Sequence, residues 1–216
     1  MINIEDLDVA GSPEHIAPEE YVAPATSGGA GDRKPIKTGR YALQLVDGKL
    51  KDQSGGSDRY PVVYRIIGQE PNQALEVQFA VQVQDGDQSG QRAYIRLTSF
   101  KRDRKVKVNG VEKSYKTNDI LDVIRATGNM NDISTYSGYV TALQDAIAAN
   151  ATFSGYIDAE VWDKASGFKL KGAKNFPVDA NGDPLYSFEC PQAGPDGTHA
   201  TVTARPTLSF ASPLRG

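Results

Sequence analysis

Asp158 and Glu160 are the nearest approach to a catalytic pair in this chain. They lie two residues apart in a stretch that reads as β, so both point to one side of a strand. Two Mg2+ ligands would be placed that way. Asp103, Asp119, Asp122 and Asp163 are further carboxylates available to such a site. No base joins them: His15 falls in a proline-rich arm and His199 beside a loop. HExxH, CxxC, phosphate-loop and GxSxG patterns are absent. The lone Cys190 excludes an intramolecular disulfide framework and a cysteine-cluster zinc site. Segments 85–90 and 181–184 look like calcium-loop fragments, but neither reaches the closing Glu of an EF-hand, and both read as turns. A carboxylate pair on an exposed strand is ordinarily a solvated face. The chain therefore reads as non-enzymatic, without metal or cofactor, and a nuclease-accessory role ranks third among the readings below.

Rings beside cations form a better-represented pattern. The stretch 153–176, FSGYIDAEVWDKASGFKLKGAKNF, reads as two strands joined by a turn at 163–167 that ends in Gly167. Phe153, Gly155, Ile157, Ala159 and Val161 form one face of the first strand. Ser154, Tyr156, Asp158, Glu160 and Trp162, the only Trp of the chain, form the other. The return strand sets Phe168 and Leu170 against Lys169 and Lys171, with Lys174 beyond. QRAYIRLTSF at 91–100 repeats the motif: Ala93, Ile95 and Leu97 face inward, and Arg92, Tyr94, Arg96, Thr98 and Phe100 outward. A strand face of this kind suits stacked bases and their phosphates. Cross-strand packing of Arg on aromatic rings for stability alone produces the same pattern.

Charge is unevenly distributed along the 216 residues. The net value is −3, yet residues 1–34 hold seven acidic side chains against two basic ones. The remainder is mildly basic. Within it, 101–116 (KRDRKVKVNGVEKSYK) carries Lys101, Arg102, Arg104, Lys105, Lys107, Lys113 and Lys116 against Asp103 and Glu112. Valines flanking Asn109-Gly110 predict a hairpin on a type I′ turn. Such a basic finger can follow a phosphate backbone, or can serve solubility alone.

The elements that must position these residues follow from periodicity. Residues 1–34 combine prolines, a Gly-rich run and few large apolar side chains, so they are expected to be a flexible acidic arm. It would hold a replication or recombination partner, or lie against the basic finger. From residue 35 the pattern is β: strands over 39–46, 59–67, 75–84 and 92–100. The strand at 75–84 is expected to be half-buried, with Glu76, Gln78, Ala80, Gln82 and Gln84 in water. A helix from Thr117 or Asn118 to Thr127, stopped by Gly128, precedes a second helix near 139–150. Segments 153–163 and 167–174 then return to β. Strands near 185–190 and 199–210 form a C-terminal β extension, 177–216, packed on the same domain, with the last residues loose. No apolar run approaches the ~20 residues a bilayer requires, and the acidic start lacks a secretory pattern. A cytoplasmic protein without membrane contact is expected.

This order, several strands, then helices, then a closing β pair, predicts a mainly β chain with two short helices. Specifically it predicts an OB-fold-like five-stranded barrel over 35–176 with extra strands. The succession GRYALQLVDGKLKD, ALEVQFAVQVQDGDQSGQRAYIRL, NDILDVIRATG and FSGYIDAEVWDKASGFKLKG resembles the small OB-fold single-stranded-DNA-binding proteins encoded by bacteriophages. The segment Lys174-Asn175-Phe176 matches the last motif of that pattern. The resemblance implies binding of single-stranded DNA, with RNA left open, in phage replication or recombination within the host cytoplasm. The candidate binding residues are Arg92, Tyr94, Arg96, Phe100, Lys101, Arg102, Arg104, Lys105, Tyr156, Trp162, Lys169, Lys171 and Lys174. The oligomeric state stays open. The alternative is a structural or adaptor protein of a phage-like particle that binds no nucleic acid.

Overall fold

The structure is a computed structural model that describes residues 36–51, 59–108, 111–129 and 133–214. The acidic arm and the Asn109-Gly110 turn lie outside the described residues.

Alternating apolar residues build one antiparallel sheet of seven strands. Its strands are β1 (Gly39–Val46), β4 (Val63–Ile67), β5 (Ala74–Val83), β6 (Arg92–Thr98), β9 (Thr152–Trp162), β10 (Lys169–Lys171) and β13 (Arg205–Ser212). Two-stranded ladders are made by β2 (Leu50–Lys51) with β3 (Arg59–Tyr60), β7 (Arg102–Val108) with β8 (Val111–Thr117), and β11 (Ser187–Glu189) with β12 (Thr201–Thr203). Helices α1 (Asp119–Thr127) and α2 (Tyr136–Ala148) separate β8 from β9.

Across the sheet the order is β6, β5, β1, β9, β13, with β4 continuing the β1 edge of β5 and β10 continuing the β1 edge of β9. Four successive antiparallel pairings make β6 and β13 run in the same sense. The two strands pack against one another, and α1 packs against both. No backbone ladder joins them among the described residues, so the sheet is not closed.

Leu43, Leu45, Val77, Phe79, Ile95, Ile120, Ile124, Leu143, Phe153 and Ile157 lie in the main core between the sheet and the helices. A second, smaller core gathers Ala159, Val161, Phe176, Cys190 and Val202, with Phe168 and Phe188 against it. The apolar face of β9 therefore serves two cores, Phe153 and Ile157 in one, Ala159 and Val161 in the other. Gly155 lies between Leu43 and Leu208, where an added Cβ would approach their Cδ1 atoms to 2.5 and 2.8 Å. Only a residue without a side chain lets the strands close there.

Helix α1 begins where Asn118 Oδ1 accepts the Leu121 N–H at 2.8 Å and ends at Gly128. That matches its sequence signals. Helix α2 starts three residues earlier than periodicity predicts, because the Thr135 hydroxyl accepts the Gly138 N–H and caps it.

Three expectations change. The run 59–67 breaks at Pro61-Val62, since proline offers no N–H to a ladder. On β5, Glu76, Gln78 and Ala80 are buried, not in water. The backbone at Gly48 lies against Ala80 and the Tyr94 ring, and Arg65 folds onto Glu76, so both faces of β5 are covered. The 167–174 segment, expected to complete the sheet beside β9, pairs only over Lys169–Lys171. The long neighbour of β9 is β13, whose Leu208 and Ala211 enter the main core. It includes Ala211 and Ser212 of the tail expected to be loose.

Candidate nucleic-acid interface

The outer row of β6 follows its alternation: Arg92 and Tyr94 are exposed and Arg96 half-buried, while Ala93, Ile95 and Leu97 are buried. Tyr94 is 47% exposed and Phe100, two residues past the strand, 48%. Arg96 lies 3.7 Å from Glu76, whose closer partner is Arg65 at 2.9 Å. Burial, then repulsion from Arg205, lowers Arg96 to about 10, and Glu160 partly opposes the shift. Arg96 thus remains charged at neutral pH and shares its surroundings with β9 and β13.

From Ser99 the chain passes into a projecting ribbon. The Ser99 hydroxyl accepts the Leu75 N–H at 2.8 Å, and Phe100 and Lys101 then stand in solvent. Strands β7 and β8 pair with each other from Arg102↔Thr117 to Val108↔Val111. Lys101, Lys105, Lys113, Tyr115 and Lys116 are exposed. Arg104 pairs with Tyr115 through its backbone, and its side chain is outside what is described.

On β9 the outer residues Ser154, Tyr156, Asp158 and Glu160 are half-buried and Trp162 is 38% exposed. The Lys169 ammonium lies 5.8 Å from the Trp162 ring centroid, within cation–π range. Lys171 Nζ is 3.3 Å from Glu160 Oε2. Lys174 is exposed on the turn that follows.

Besides Arg96, which lies near Glu76, three of the predicted cations have carboxylate partners. Arg102 bonds Asp122 at 3.0 Å and also contacts Asp119. Lys105 lies 2.8 Å from Glu112. Lys171 has Glu160. Both exposed pairs are weak and can yield to a phosphate. Arg102 differs, because its partner Asp122 is buried. The Arg102 guanidinium lines a crevice with Asp119, Asp122, Leu97 and Phe210 and ties the ribbon to α1.

The paired carboxylates also have other work. Asp158 Oδ1 accepts the N–H of Ala173 at 3.0 Å, which fixes the turn after β10, and Glu160 holds Lys171. Among the described residues no three His, Cys, Asp or Glu side chains are gathered as metal ligands. His199 Nδ1 donates to the carbonyl of buried Cys190 at 2.7 Å.

Register adds three residues that sequence reasoning left out. Arg205 is the cross-strand neighbour of Glu160 on the side opposite Lys171. Tyr156 has Arg40 on one side and Phe210 on the other, with the Arg40 guanidinium 5.2 Å from the Phe210 centroid. The outer surface along β9 thus runs from Trp162 with Lys169, past Glu160 between Lys171 and Arg205, and past Asp158, to Tyr156 with Arg40 and Phe210. Arg40 was visible in the alternation of 40–45. Arg205 and Phe210 needed the pairing of β13.

Comparison with models of protein families, with curated proteins and with solved structures returns no match. No helix among the described residues is long and apolar enough to cross a membrane.

Proposed function

We propose that this chain binds single-stranded nucleic acid, DNA in the first instance, without catalysing a reaction on it. The observation that carries the reading is the outer row of β6, where exposed Tyr94 stands between Arg92 and Arg96, together with exposed Trp162 beside Lys169 at the end of β9. Stacking tolerates any base, and each base stacked on an aromatic side chain contributes ~1–3 kcal/mol. Tyr94, Phe100 and Trp162 offer that surface, and Tyr156 is half-covered beside them. Arg92, Lys101, Lys169, Lys174 and Arg205 offer exposed charge to the phosphates. The acidic arm accounts for the negative net charge, so a basic surface elsewhere is compatible with it.

An OB-like body is the matching fold proposal. The strand order β6–β5–β1–β9–β13, the helices between β6 and β9, and the shared direction of β6 and β13 support it. On that reading β13, not the 167–174 segment, is the fifth barrel strand. The resemblance to phage single-stranded-DNA-binding proteins supports a role in replication or recombination.

Trp162 is the only Trp, so its fluorescence reports from the site itself. Oligo(dT) added to the protein quenches that emission in a saturable manner if bases stack there. An assembly or adaptor protein that binds no nucleic acid shows no change, and that result overturns the reading.

A further inference from the structure

Among the described residues the basic ribbon has no backbone ladder to the main sheet, yet its base is fixed at three points. Ser99 is bonded to Leu75 through both its N–H and its hydroxyl, each at 2.8 Å. Arg102 and Thr117, cross-strand partners at the root of the ribbon, reach the same carboxylate. Asp122 Oδ1 accepts the Thr117 hydroxyl at 2.8 Å, and Oδ2 accepts from Arg102 Nη2 at 3.0 Å. Thr117 and Asp122 are both buried. Asp122 belongs to the first turn of α1, which packs against β6, β9 and β13. One carboxylate therefore ties both strands of the ribbon to the helix that rests on the sheet.

From this arrangement we infer that Asp122 is a positioning residue: it sets the direction in which the ribbon leaves the body, so that ribbon and β6 row act as one binding surface. This deepens the nucleic-acid reading and rests on it. Arg92, Tyr94 and Arg96 alternate along β6, roughly 14 Å from first to last at strand rise, and Phe100 follows two residues past its end. Lys101 and the ribbon continue from there. A ribbon held in one direction keeps its exposed lysines, Lys113 on one face and Lys116 on the other, at fixed positions relative to that row. A ribbon swinging at Ser99 would have to lose that freedom on binding, at a cost in affinity. Asp122 itself touches no ligand.

The test compares four proteins: the full chain, Asp122→Asn, a ribbon-neutral variant with Lys101, Lys113 and Lys116 all changed to Ala, and the two combined. Backbone 15N relaxation of residues 112–116 is recorded without ligand, and oligo(dT) affinity is measured against NaCl concentration. The expected result is lower order parameters over 112–116 in Asp122→Asn, with the body unchanged. Its oligo(dT) affinity should fall several-fold at each NaCl concentration, because the ribbon must then be ordered on binding. Asp122→Asn should then have no effect on the ribbon-neutral background. Unchanged order parameters, or an equal loss of affinity on both backgrounds, would overturn the inference. If Asp122→Asn does not fold, Thr117→Val removes only one bond to the carboxylate and is judged by the same readouts. If no protein binds oligo(dT), the nucleic-acid reading fails, while the relaxation data still decide whether Asp122 holds the ribbon.

Discussion

Lys169 and Trp162 are cross-strand partners whose ammonium and ring sit 5.8 Å apart on the outer face of β9 and β10. At an exposed site such a contact contributes ~0.5–1 kcal/mol. Lys169→Ala should therefore lower unfolding stability by no more than that and leave the fold intact. It should also weaken oligo(dT) binding while leaving the stacking on Trp162, so emission still quenches, with a lower affinity. Loss of quenching at saturating oligo(dT) would mean that Lys169, not Trp162, defines the contact.

Gly155 tests the shared strand β9 from inside. A methyl group there meets Leu43 and Leu208 from two different strands and Phe153 from its own. Overpacking of a filled core costs about 1–3 kcal/mol. Gly155→Ala should lower the denaturant midpoint accordingly, with little change in the slope. A neutral substitution would show that β1 and β13 can separate without cost.

Legibility of the fold followed local regularity. The alternation on β6 and β9 appears in the structure with nearly every inward and outward residue as its period of two requires, because both strands are long and unbroken. On β13 the period of two is broken. Its register shifts between Leu208 and Phe210, so Leu208 pairs with Ile157 on the core side and Phe210 with Tyr156 on the outside. A bulge reverses the parity that alternation arguments depend on. Pro206 fits within the strand expected near 199–210, since at a sheet edge its missing N–H leaves no ladder bond unmade. Arg102 shows the other limit. Counting charge along 101–116 cannot reveal that Asp119 and Asp122, three residues apart on the first turn of α1, converge on one of the seven cations.

Glu76 gives stability a pH dependence. Burial pushes its carboxyl above the usual Glu value, and the Arg65 guanidinium at 2.9 Å offsets only part of that. The folded protein then holds this proton more tightly than the unfolded chain. Its contribution is most favourable below the usual Glu value and declines as pH rises through the raised folded value, above which it is constant. Denaturant unfolding of the full chain and of Glu76→Gln across pH 4 to 8, a range bracketing an ordinary Glu at about 4.3, should show it. The stability of the full chain relative to the variant should fall as pH rises. A relative stability that rises with pH would mean that Arg65 dominates the site.

Asp163 behaves in the opposite sense. The Ser166 hydroxyl and backbone N–H both donate to its carboxylate in the turn after β9, holding it below the usual Asp value. Its contribution is present above the usual value and lost as pH falls through the lowered one. Ser166→Ala removes the larger of the two bonds. An NMR titration should then place Asp163 closer to an ordinary aspartate, and an unmoved titration would show that the backbone bond alone sets it.

Arg205 separates a phosphate contact from a cross-strand structural charge. Glu160 lies between two cations, but its bond is to Lys171 at 3.3 Å, while Arg205 is exposed beside it. Removing Lys171 would leave Glu160 half-buried without its ion partner and add negative charge to the surface. Removing Arg205 leaves the Lys171–Glu160 pair intact. It also relieves repulsion on Arg96, whose charged form Arg205 disfavours. Arg205→Ala should therefore leave unfolding stability nearly unchanged and reduce the salt slope for oligo(dT) by ~0.7, one single-strand phosphate contact. Lys171→Ala should reduce affinity further, because Glu160 then keeps only Arg205 beside it and repels the backbone more strongly. Measured by anisotropy at several NaCl concentrations, equal slopes for Arg205→Ala and the full chain would remove β13 from the binding surface.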